Sequence, residues 1–225
     1  MTEAQPPTPQ SESSQPNPPR RSIWREFALP VLVAVVVTVV VRVFVIQTFW
    51  IPSESMENTL LVNDRVLVNK LVYDFRSPRR GEVVVFEAPA SWRSDPNESD
   101  FIKRVIGVGG DHIVCCDEQQ RLVINGRPLD EPYVYRDENG VQDPASLNEF
   151  DIVVPEGRLW VMGDHRSRSG DSRQQYLQTQ DVVASTIAEE DVIGRAFAII
   201  WPLDRVTWLS IPDTFDDIPD PGESG

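Results

Sequence analysis

Asp100-Phe-Ile-Lys-Arg-Val-Ile-Gly-Val-Gly-Gly-Asp111 reads as one β-strand closed by a turn. Apolar residues dominate it from Phe101 to Val108, and Gly109-Gly110-Asp111 has turn chemistry. Strand alternation puts Lys103 on the face of Phe101 and Val105, with Ile102 and Arg104 on the other. A lysine turned inward among apolar neighbours loses the hydration of its ammonium, and its pKa falls. On this stretch alone, a solvent-facing lysine on a half-exposed strand is the plainer reading.

Similar short runs flank it: Arg65–Val68, Glu82–Glu87, His112–Cys115, Arg121–Ile124, Ile152–Val154, Arg158–Met162, Val192–Ile200 and Val206–Leu209. Asn125-Gly126 between alternating residues marks a hairpin, and Pro155-Glu156-Gly157 a turn. Asp137–Asn148 and Arg166–Gln180 are polar enough to be loops, and no amphipathic helix of useful length appears. The expected class is mainly β, an antiparallel domain over residues 50–210, followed by a flexible acidic tail over 211–225.

Before that domain the character changes. Residues 1–19 are Pro, Gln, Ser, Thr and Asn with almost nothing apolar, so residues 1–26 are expected as a disordered tail with a basic flank at Arg20, Arg21 and Arg25. Phe27 to Val41 is uninterrupted by charge, Arg42 follows, and apolar residues resume to Phe49. As a helix these 23 residues would reach about 34 Å, against roughly 30 Å of hydrocarbon core. Pro30 would lie in its first turn, Arg42 could snorkel, and Trp24 and Trp50 would mark the two interfaces. The run is apolar on every face, unlike a soluble core helix, and it lacks the small-residue site of a cleaved signal peptide. An uncleaved transmembrane helix over 27–49 is expected. The basic flank keeps the N-terminus cytoplasmic and puts the rest outside.

The net charge of −14 argues against nucleic acid as a partner. All the excess acid lies after Trp50 and reads as a solvated surface. Two histidines and no CxxC argue against a zinc site. Cys115 and Cys116 are adjacent, so a bridge between them is not expected.

Two further stretches carry chemistry. Ile51-Pro-Ser-Glu-Ser-Met-Glu-Asn-Thr-Leu60 puts Ser53 and Ser55 just past the apolar run. A serine needs a base to take its proton, and a dry, neutral lysine can serve. Gly163-Asp-His-Arg-Ser-Arg-Ser-Gly-Asp-Ser-Arg173 supplies hydroxyls and paired charges that could orient such a lysine.

With Arg79-Arg-Gly-Glu-Val-Val-Val-Phe-Glu-Ala-Pro89 and Asp191-Val-Ile-Gly-Arg-Ala-Phe-Ala-Ile-Ile-Trp-Pro202, these motifs resemble the bacterial type I signal peptidases, in the family's order and up to about Pro202. The resemblance implies a Ser/Lys-dyad protease that removes signal peptides from exported preproteins at Ala-x-Ala sites beside the lipid bilayer, with no cofactor and no metal. It implies Ser55 as nucleophile, Lys103 as general base and Ser53 as an oxyanion donor. Ser169 would position the lysine, and Asp171 with Arg173 would form a structural ion pair, as could Arg104 with Asp164. Phe49, Ile51, Pro52 and Ile102 would line the substrate pocket. Asn58 stands where the family usually has proline, and His165 and Arg168 are also departures. His165 is expected to be structural or solvent-facing. Two other readings remain open: a Ser/Lys protease with a dedicated partner, and a non-catalytic membrane-tethered β-domain.

Overall fold

The computed structural model describes residues 23–40 and 45–222. The readings made on residues 1–19, on Arg20 and Arg21, and on Arg42 lie outside the described residues. The chain forms two units, one ending at Val39 and one beginning at Val40.

In the first unit, α1 spans Ile23–Val40. It starts before the apolar run does, so Pro30 falls inside the helix and not in its first turn. Phe27, Leu29, Val31 to Val33, Val35 to Val37 and Val39 are exposed. Among the described residues, no helix is long and apolar enough to cross a membrane.

The second unit begins with a departure from the expected span. Ile46–Trp50 is a strand, β1, paired antiparallel with β2 (Arg65–Asn69). Gln47 and Thr48 are the residues that betray it. They break the apolar run, face solvent, and leave Phe49 to pack inward.

The next strands are β3 (Val83–Glu87), β4 (Asp100–Gly107), β5 (His112–Cys115), β6 (Leu122–Ile124) and β7 (Arg127–Pro128). β8 (Phe150–Val153) and β9 (Arg158–Met162) follow, then the helix α2 (Ser172–Thr179), β10 (Ile187–Ala188), β11 (Val192–Trp201) and β12 (Thr207–Trp208). One eight-stranded sheet runs β1-β2-β11-β3-β4-β9-β10, with β12 on β11; a four-stranded sheet runs β7-β6-β5-β8. Every pairing is antiparallel. Asn125 and Gly126 take φ of 51° and 79°, as a tight hairpin between β6 and β7 demands.

The centre of the large sheet, at β3 and β4, is buried on both faces. Val83, Val85 and Ile102 pack with Ile51, Met56 and Leu60, while Val84, Phe86 and Val105 pack with Trp92, Leu159 and Val161. A third cluster joins the small sheet to Trp160 and Met162 of β9. β4 therefore lies inside the fold, with β3 along one side and β9 along part of the other.

Three expectations are corrected. Part of the Arg166–Gln180 segment is α2, because Asp171 caps it by accepting from the Arg173 backbone N–H. The segment from Ile211, expected to be flexible, is docked: Phe215 and Ile218 are buried in the third cluster and Ile211 packs against it. Its Pro and Asp content hides an apolar spacing of three to four residues. Cys115 and Cys116 form a disulfide; the peptide between them is cis, with Cα atoms 3.0 Å apart.

Gly194 on β11 has no room for a side chain, since a Cβ would collide with the Asn69 carbonyl oxygen and lie 2.8 Å from Val68 Cγ1. A backbone oxygen in a sheet cannot yield cheaply. Gly194→Ala is expected to cost about 1–3 kcal/mol, seen as a lower Tm. An unchanged Tm would show that β2 and β11 can part.

Candidate active site

The turn that carries Ser53 and Ser55 is fixed at both ends. The Ile51 N–H donates to the Asp64 carbonyl (3.0 Å) and the Asn63 N–H to the Ile51 carbonyl (2.9 Å), closing residues 51–64 into a loop. Inside it, Leu60 N–H donates to Met56 O at 2.7 Å, and Met56 and Leu60 are buried. The apolar side chains of Ile51, Met56 and Leu60 thus pin the turn to the sheet and leave its polar residues between them.

β9 ends at Met162, and the chain turns away at Gly163. The Ser55 backbone takes up the space: a Cβ on Gly163 would collide with the Ser55 carbonyl oxygen and with Ser169 Oγ. The His165 N–H donates to that same carbonyl (3.2 Å). Ser55 Oγ then lies 2.8 Å from Lys103 Nζ, which also donates to the Ile102 carbonyl (3.0 Å). Ser55 is 5% exposed and Lys103 4%. The Ser53 hydroxyl stands 3.3 Å from that of Ser55.

Burial pushes the Lys103 amine down from its ordinary 10.5 to about 8. The carboxylates of Asp171, Asp164 and Glu98 pull the other way, and Arg173 reinforces the fall. The two nearest acids are each tied to a guanidinium. Arg104 grips Asp164 with two hydrogen bonds of 2.9 and 2.6 Å, deep in the fold. Arg173 grips Asp171 (2.7 Å), which also accepts from the Gly163 N–H at 3.0 Å. Burial alone would raise Asp171; Arg173 and these hydrogen bonds hold it below the usual carboxylate range.

Ser169 Oγ is buried beside Gly163, and among the described residues no group meets it in good hydrogen-bond geometry. The two hydrogen bonds of Lys103 go to Ser55 and Ile102, not to Ser169. Ile51 and Ile102 are buried in one cluster with Phe49 packed on it, and Pro52 is exposed. A cavity of about 390 Å³ opens on the Ser169 side, bordered by Asp171 and Arg173; Ser55 and Lys103 are not among its lining residues.

His165, open between two readings in the sequence, is buried. Its ring stacks on Tyr135 and its Nδ1 lies 3.0 Å from Glu57 Oε2, out of line for a hydrogen bond. The sequence reading missed several supports. Thr59 Oγ1 donates to Asp164, Asn58 Nδ2 donates to the Tyr133 carbonyl (3.0 Å), and Arg166 forms a buried pair with Glu131. Only Gly163, next to a polar run, offered any signal of close packing.

Known proteins place the chain. The family described as "Signal peptidase, peptidase S26" matches residues 24–201. Signal peptidase I of Mycobacterium tuberculosis (strain CDC 1551 / Oshkosh) is 39% identical over 87% of this chain and 78% of its own length. A probable signal peptidase I of Mycobacterium leprae (strain TN) is 37% identical over 84% and 80%, and signal peptidase I of Leptolyngbya laminosa 35% over 95% and 99%. A crystal structure of a signal peptidase I from Enterococcus faecalis V583 aligns with a TM-score of 0.40 at 26% identity, covering 53% of this chain and 97% of that one. The chain belongs to the S26 signal peptidase family and is a serine peptidase, a hydrolase.

Because the folded amine has a lower pKa than the unfolded one, charging it costs stability. The cost is present in full below about pH 8 and gone above about 10.5. The fall from 10.5 to about 8 corresponds to roughly 3 kcal/mol. Lys103→Met is therefore expected to be more stable than wild type at pH 7 in denaturant titrations, with the gain vanishing above pH 10.5. A gain that does not change with pH would contradict a desolvated amine.

Proposed function

We propose that this chain is a membrane-anchored serine endopeptidase that removes signal peptides from translocated preproteins at Ala-x-Ala-type sites, using a Ser55/Lys103 dyad. The observation that carries the reading is the 2.8 Å approach of Ser55 Oγ to a lysine amine dry enough to be neutral near pH 8.

Ser55 Oγ attacks the carbonyl carbon before the scissile bond while the Lys103 lone pair takes its proton. The oxyanion is met by the Ser55 N–H and the Ser53 hydroxyl. Lys103 returns the proton to the leaving amine, and the acyl-enzyme is hydrolysed by water activated by the same amine. Ser169, whose hydroxyl makes no bond to Lys103 in the free protein, would turn to orient that amine in the reacting complex, and the pairs Asp171–Arg173 and Arg104–Asp164 hold its surroundings. Phe49, Ile51, Pro52 and Ile102 shape shallow pockets for the small side chains one and three residues before the cut. No cofactor takes part.

The exposed apolar residues of α1 from Phe27 to Val39 support an anchor, and Arg20, Arg21 and Arg25 support a cytoplasmic N-terminus with the catalytic domain outside. Leu61, Val62, Trp201, Leu203 and Val206 are exposed beside the Asp64–Arg205 pair, which supports contact of the domain with lipid. Anchoring would concentrate the enzyme where exported precursors emerge.

The deciding experiment is cleavage of an exported precursor in vesicles. Ser55→Ala and Lys103→Ala are each expected to lower cleavage by roughly 10³-fold or more while the domain stays folded by circular dichroism. Appreciable turnover in either would remove the dyad. Since the neutral amine is the active form, kcat/KM should climb with pH and level off above about 8. A profile flat from pH 6 to 10 would exclude Lys103 as base. For Ser169→Ala, a fall in kcat with KM little changed is expected, and wild-type kinetics would dismiss its positioning role.

A further inference from the structure

We infer that the C-terminal segment Ile211–Pro221 is an intramolecular strap that fixes the nucleophile turn through Phe215, Tyr133 and Asn58, making these three positioning residues. The inference deepens the peptidase reading and rests on it for its catalytic consequence. The segment lies beyond residue 201, where the family match ends.

The strap has a built seat. Arg80, clamped by Asp111 through bonds of 2.7 and 2.5 Å, donates to the carbonyls of Ile218 (3.3 Å) and Pro219 (3.1 Å). Asn125 Nδ2 donates to the Pro219 carbonyl as well, at 2.9 Å. Two glycines make room. A Cβ on Gly81 would lie 2.7 Å from Ile211 and 2.8 Å from Phe215, and one on Gly110 would lie 2.8 Å from Pro221.

Phe215 is buried and stacks on Tyr133, with the rings 16° apart in plane. Tyr133 is in turn the hub of the turn's supports. Its carbonyl accepts from Asn58, its ring lies 4.1 Å from the Arg104 guanidinium, and its hydroxyl donates to Glu131 at 2.7 Å. Arg104 holds Asp164, which accepts from Thr59. Two consecutive turn residues are thereby tied to Tyr133, whose ring the strap backs: Asn58 through its carbonyl, and Thr59 through Asp164 and the Arg104 guanidinium over its ring. Asn58 sits at φ 83°, which asparagine tolerates and proline, locked near −65°, cannot adopt. The side-chain amide and the backbone shape of this turn both depend on asparagine.

Phe215→Leu in the full chain keeps apolar volume and removes the flat ring, so the fold survives where Phe215→Ala could lose it. Hydrogen exchange reads the strap without reference to catalysis. The amides of Thr59 and Leu60, which donate to Met56 O, are expected to exchange about tenfold faster in Phe215→Leu, while those of β2 and β11 keep their rates. In the same variant, kcat per site titrated with a serine-acylating probe should fall about tenfold with KM nearly constant. Counting competent sites removes any effect of a smaller folded fraction. Asn58→Ala should produce a similar loss, and the double variant should be no worse than either single one. Unchanged exchange at Thr59 and Leu60, or losses that multiply in the double variant, would overturn the strap. A wild type that cleaves no precursor would sink the peptidase reading, and the exchange rates would still decide the strap.

Discussion

The dyad proposed for Ser55 and Lys103 needs an uncharged amine kept dry beside an alcohol, and the burial of Lys103 is the constraint around which the site is arranged. Lys103 is held on β4, an interior strand, with Val84 opposite it on β3. Burial alone would drive its pKa further down, and carboxylates alone would restore the charge. The structure balances the two. Asp164 and Asp171 lie near enough to raise the amine, yet each is largely neutralised by its own arginine. Removing Arg104 or Arg173 would thus have two effects: an uncompensated buried acid, and a lysine pulled back toward its ammonium form.

The second requirement is that the serine not wander. Four contacts hold residues 55–60: Gly163 packed against the Ser55 carbonyl, the His165 N–H on that carbonyl, the Tyr133 carbonyl on the Asn58 amide, and Asp164 on the Thr59 hydroxyl. They come from the chain after β9, from Tyr133 and from the Arg104–Asp164 pair. None of these elements is close to Ser55 in sequence, so the geometry of the turn is a property of the assembled domain. The small sheet, which carries none of the proposed reactive groups, contributes through this network. Asn125, at its β6–β7 hairpin, helps hold the C-terminal segment.

Much of the sheet was legible because its strands are short apolar or alternating runs and its turns carry Gly, Asn and Asp. β5 alternates, while β4 and β9 are continuous runs buried on both faces, and the dyad candidates followed from motif order. Lys103 was harder: the local pattern allowed a surface position, and only the burial of β4 between β3 and β9 makes it dry. β1 was hidden because an apolar run looks alike as helix or strand, and its pairing with β2 spans a loop that sequence cannot close. α2 was hidden because its signal is a single cap, Asp171, on a helix with little apolar face. The docking of Phe215 was masked by composition: proline and aspartate suggest disorder, but one aromatic ring in a seat built by Gly81 and Arg80 is enough to order the segment. The supports of the turn were illegible because each joins residues 45 or more positions apart, apart from pairs such as Asp171–Arg173.

Asn58 shows how such supports can substitute for one another. Where its relatives' motif resembles Ser-Met-x-Pro, a proline would stiffen the turn covalently by fixing its own φ. At φ 83° that device is closed to this chain. Rigidity here comes through a side-chain amide to Tyr133, and a hydrogen bond holds only as well as its acceptor is held. An acceptor on a loop needs backing, which the stacked Phe215 and the Arg104 guanidinium supply from two directions. A tertiary constraint thus holds the turn where proline would supply a covalent one, and on the strap inference the C-terminal segment is part of what keeps Ser55 within reach of Lys103.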